Sequence, residues 1–115
     1  MSDLTIAERY AGPERRLHWV FVTRHTEYHC HDRLCIAVRD VGSGEFVDRH
    51  DAIGRRLIGA LRFEGESAHS LSFRTRPHVG DRLVFSSGTI DSNITTSELC
   101  DIERPSKKTV NQYRW

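Results

Sequence analysis

The sequence predicts a mainly β fold: a single small antiparallel barrel or sandwich, SH3-like or OB-like in shape, with one short helix near residues 51–61. Three observations point there. Short apolar runs recur along the chain, several alternate with polar residues at the two-residue period of a strand, and Gly- or Pro-containing stretches separate them. A length of 115 residues suits one domain with its own core. We divide the chain into an extended N-terminal arm, 1–16, charged and interrupted by Gly12-Pro13, and one β-rich domain, 17–115.

LHWVFVT (17–23) sets Leu17, Trp19 and Phe21 against His18, Val20 and Val22. Both sets are largely apolar, the pattern of a central strand covered on two sides. RLCIAVRD (33–40) puts Leu34, Ile36 and Val38 on one face, and VGSGE (41–45) supplies glycines for a hairpin turn returning through Phe46 and Val47. DAIGRRLIGALRF (51–63) reads two ways. Ile53, Leu57, Ile58 and Leu61 recur at helical spacing behind Asp48 or Asp51 as cap, although Gly54 and Gly59 each cost about 1 kcal/mol inside a helix. A strand would instead align Leu57, Gly59, Leu61 and Phe63; the helix is the expectation. AHSLSFRT (68–75) alternates with His69, Leu71 and Phe73 inward. RPHVGD is a turn before the strand RLVFS (82–86), and ITTSELCDIE (94–103) is a further strand. The tail breaks at Pro105 and ends in Tyr113, Arg114 and Trp115.

Composition narrows the function classes. The formal charge of +1 supplies no global field for nucleic acid or anionic membrane, and no apolar run is long enough to span a bilayer. The first residues carry acids and no apolar centre, so a cytoplasmic location is expected. Three cysteines, Cys30, Cys35 and Cys100, suggest reduced thiols rather than a disulfide scaffold.

HTEYHCHDRLC (25–35) crowds three histidines, two cysteines and two acids together. A zinc site would draw on His25, His29, His31 and Cys35, but the paired Cys-x-x-Cys knuckle is missing, and no pairing of the two cysteines is expected from their spacing. On a strand His29 and His31 share one face and Cys30 the other, which separates Cys30 from a neighbouring histidine base. A nucleic-acid surface would use Arg74, Arg76 and Arg82, with Phe73 assigned to the core. Neither that nor zinc is the leading expectation. The sequence reads best as a small non-catalytic protein-binding or adaptor module that forms a homodimer and needs no cofactor, with zinc and nucleic acid as alternatives. Its partner surface would comprise His25, Tyr28, His29, His31, Tyr113, Arg114 and Trp115, because aromatic and Arg side chains are enriched at binding hot spots.

Overall fold

The structure, a computed structural model, describes residues 17–63, 71–87 and 92–113. The predicted N-terminal arm, His69, Arg114 and Trp115 lie outside the described residues. Among the described residues seven strands form one antiparallel sheet: β1 (His18–Thr23), β2 (Thr26–His31), β3 (Leu34–Asp40), β4 (Leu57–Phe63), β5 (Leu71–Arg74), β6 (Arg82–Phe85) and β7 (Ile94–Glu103). Their order across the sheet is β3-β2-β1-β7-β6-β4-β5. β1 is central, as its two apolar faces predict. The β1–β2 connection is only Arg24-His25, closed by reciprocal bonds between the Thr23 hydroxyl and Thr26, at 3.0 and 3.2 Å.

β7 joins the two halves of the sheet. Ile94 to Glu98 pairs with β6, and Leu99 to Glu103 pairs with β1. The sheet curls until the chain leading into β4 meets the start of β3. Cys35 N–H donates to Arg55 O (2.9 Å), Gly54 N–H to Cys35 O (2.8 Å) and Leu57 N–H to Arg33 O (2.6 Å). The curl joins at this corner and stops short of a closed barrel. Inside it lie Phe21, Tyr28, Cys30, Cys35, Val38, Leu57, Leu83, Phe85 and Leu99, with Trp19 and Ile102 packed against them.

Three expectations are corrected. The helix over 51–61 does not form: a turn at 51–54 leads directly into β4. Gly54 takes φ +87°, a left-handed conformation that breaks helical continuity. At Gly59 a Cβ would lie 2.3 Å from the Phe73 ring and 2.6 Å from Arg74 O, so the glycine serves close strand packing rather than a turn of helix. The short helix lies instead in the tail: α1 (Lys107–Val110), capped by the Ser106 hydroxyl, which accepts from Thr109 N–H at 3.1 Å. The return strand at Phe46 is reduced to one bridge with Arg39.

The third correction concerns Phe73. It faces outward and is 54% exposed, because its ring lies across the bare backbone of Gly59 instead of entering the core. Leu61, its cross-strand partner, shares that outer face, whereas Ala60 and its partners Leu83 and Arg74 belong to the inner one.

Candidate functional site

The curl leaves its mouth open at one end. A cleft of about 690 Å³ opens there, floored by Trp19, Phe21, Leu57 and Ile102 and walled by residues 75–78. The floor follows from register. Trp19 pairs with Cys30 and Phe21 with Tyr28 and Ile102, so these side chains all point inward. The Arg104 guanidinium sits 4.0 Å above the Trp19 ring, a cation–π distance.

The wall is held from two sides. Arg33 donates through Nε to Leu57 O (2.9 Å) and through its terminal nitrogen to Thr75 O (2.8 Å). On the far side Asp81, with no exposed surface, accepts from Arg62 Nε at 2.7 Å and from His78 N–H at 2.9 Å. A buried carboxylate is tolerated only when its oxygens are satisfied in this way. Gly80, at φ +96°, lets the chain turn between those anchors while its N–H reaches Leu99 O. The anchoring leaves Arg76 and His78 on the exposed side of the cleft.

A second polar arrangement lies on the outer face of β1 and β2. His29 Nδ1 meets the Tyr113 hydroxyl at 2.6 Å and Nε2 meets Glu27 Oε1 at 2.9 Å; Arg39 donates to the same oxygen at 2.8 Å. With His29 neutral, Nε2–H donates to the carboxylate and Nδ1 accepts from the phenol, which satisfies both ring nitrogens. Burial lowers the His29 pKa from its ordinary value, with the Glu27 contact opposing, and burial raises that of Tyr113. Phe46 stacks edge-on to both rings, at 5.2 and 6.0 Å. Tyr113 and Gln112 also edge a shallow groove of about 490 Å³ against Ile36, Phe46 and Ile53. This chain fastens the C-terminal segment to the sheet.

Of the residues expected to form a partner surface, the structure brings His29 and Tyr113 together, but inside the domain. Tyr28, His29 and Tyr113 are all buried, and Tyr28 packs on Phe85 within the core. Their side chains are committed to the domain's own packing; His25 is exposed in the β1–β2 turn and His31 is half-buried beside His18. The residues considered for zinc are divided. His29 and His31 lie on the outer face, Cys35 lies in the core, and among the described residues no three His, Cys, Asp or Glu side chains are grouped to hold a metal ion. The three arginines are divided too: Arg82 shares the outer face with Phe73 and approaches Glu98 at 3.7 Å, Arg74 takes the other face, and Arg76 lines the cleft.

Reasoning from sequence did not single out Glu27 and Arg39, although Glu27, His29 and His31 follow the two-residue period that puts them on one face. It also read Trp19 purely as core. The expectation that Cys30 and Cys35 stay unpaired in space is corrected as well: β2 and β3 set them directly opposite each other. No family model, no curated protein and no solved structure matches the chain. Among the described residues no helix is long and apolar enough to cross a membrane.

Proposed function

We infer that this chain is a non-catalytic binding module, and that the cleft over Trp19 receives a segment of a protein partner. One observation carries the reading: an open cleft with an aromatic floor and an Arg-bearing wall that is pinned in place before any ligand arrives. The mouths of small β-barrels are recurrent ligand sites, and a Trp with Arg neighbours is the composition of a binding hot spot. Preorganising the wall lowers the ordering cost of association. An acidic or aromatic side chain of the partner would lie against Trp19 and Arg76. Three free cysteines fit a reducing, cytoplasmic setting.

A single nucleic-acid strand is the second reading, favoured by the exposed Phe73 ring close in sequence to Arg76. Local charge argues against it. Arg33 is taken up by backbone carbonyls, Arg82 lies by Glu98, and the whole chain carries only +1. A displayed peptide library screened against the wild type, Trp19→Ala and Arg76→Glu tests the reading. Acidic or aromatic peptides should be retained by the wild type and lost by both variants. An identical peptide set on Trp19→Ala would overturn it, and tight, steeply salt-dependent binding of a single-stranded oligonucleotide would favour the second reading.

A further inference from the structure

We propose that Cys30 and Cys35 form a built-in dithiol that closes to an intramolecular disulfide when a peroxide reaches it. The two residues are cross-strand partners on the β2–β3 hairpin, both fully buried and both free thiols. The direction of the backbone bonds sharpens the geometry. Cys35 N–H donates outward to Arg55 O, and Cys35 O accepts from Gly54 N–H, so neither group faces β2. Cys30 and Cys35 are therefore a non-hydrogen-bonded antiparallel pair, the class with the closer side chains and Cα atoms about 4.5 Å apart. That separation lies inside the range a disulfide spans. Cys35 Sγ makes a weak contact with Ala37 O at 3.7 Å.

The chemistry needs one small oxidant. Hydrogen peroxide converts one thiol to a sulfenic acid with release of water; the second thiol's sulfur attacks it, forming the S–S bond and releasing a second water. Two S–H bonds are lost, and the two electrons end on the peroxide oxygens. Residues 54 and 55, at the end of the turn that begins at 51, are joined to Cys35 by the two backbone bonds named above, and Asp51 and Gly54 are exposed. A water-sized oxidant needs only a small opening there. Closure would fix the hairpin whose tip, Asp32 and Arg33, lines the cleft, although the chemistry stands independently of what the cleft binds.

Trypsin supplies a direct test, because Arg33 lies between the two cysteines. Folded full-length protein is treated with hydrogen peroxide, denatured with an alkylating agent present, and digested. The peptides carrying Cys30 and Cys35 should remain joined, with the mass of two hydrogens missing, and separate on reduction. In Trp115→Phe protein the emission of Trp19, the cross-strand partner of Cys30, should fall on oxidation and recover with dithiothreitol. Cys100 is exposed and serves as the internal control for simple surface oxidation. Oxidation confined to Cys100, or Cys30 and Cys35 recovered as separate sulfinic acids or as alkylated thiols, would overturn the proposal.

Discussion

His29 is completely enclosed, yet both its nitrogens are answered, by Tyr113 on one side and Glu27 on the other. Removing the phenol oxygen with Tyr113→Phe leaves Nδ1 buried without its partner while keeping the ring packing. The loss should be about 1–3 kcal/mol in urea unfolding. The same burial makes His29 a source of acid sensitivity. Its folded pKa lies below the ordinary value of about 6.5, so the unfolded chain binds a proton first. Stability from this residue is complete above that ordinary value and falls with pH down to the depressed folded pKa. Unfolding free energy measured between pH 8 and pH 5 should decline less steeply in His29→Gln than in the wild type; equal slopes would assign the acid sensitivity to other histidines. Asp81 is a second buried polar group whose partners can be removed. Asp81→Ala removes the carboxylate to which Arg62 Nε and the His78 amide donate, with an expected loss on the order of 2 kcal/mol in the same assay.

At the scale of elements, the pairing of β4 with β5 rests on a glycine. Gly59→Ala would drive a methyl into the Phe73 ring and against Arg74 O, where backbone cannot yield cheaply. We expect a loss of about 1–3 kcal/mol, with β5 amide exchange accelerated more than that of β1. Phe73→Ala in the same protein should relieve the ring contact but not the carbonyl contact, recovering only part of the loss. This position also shows why sequence reading went astray here. Alternation placed Phe73 inside, since a large aromatic two residues from Leu71 looks like core. The ring in fact covers a missing side chain on the neighbouring strand, a relation no periodicity within β5 encodes. Likewise Ile53, Leu57, Ile58 and Leu61 do recur at helical spacing, but the left-handed Gly54 and the sheet contacts of Leu57 outweigh it. Elsewhere the local pattern sufficed. β1, β3, β6 and β7 lie where alternation and Gly or Pro turns put them, because each closes on a near sequence neighbour or carries a long apolar face. The cleft was less legible: it depends on Trp19 meeting residues 75–78, more than fifty positions away, and on Asp81 choosing Arg62 as partner.

For the whole molecule the tail decides how the domain is held together. Val110 and Tyr113 are buried against the domain's own sheet, with Tyr113 touching both His18 and His29. Tyr113, read from sequence as part of a dimer element, packs in this arrangement against its own chain. The two roles separate by mass action. A clasp made within the chain gives a melting temperature independent of protein concentration, whereas a tail exchanged between two subunits makes it rise with concentration. Deleting residues 109–115 removes Val110 and Tyr113 together and opens the His29 face to water. Full burial of one such apolar side chain contributes roughly 1.5–3 kcal/mol, so with the His29 bond the loss of the two side chains should cost about 4–9 kcal/mol. That is a large part of the total stability of a domain this size. The truncated protein should therefore melt far lower or unfold outright, and Tyr113→Phe should fall between it and the wild type. Truncation that halves the solution mass without lowering the melting temperature would return the tail to the role of a dimer contact, leaving the His29–Tyr113 bond without consequence for the fold.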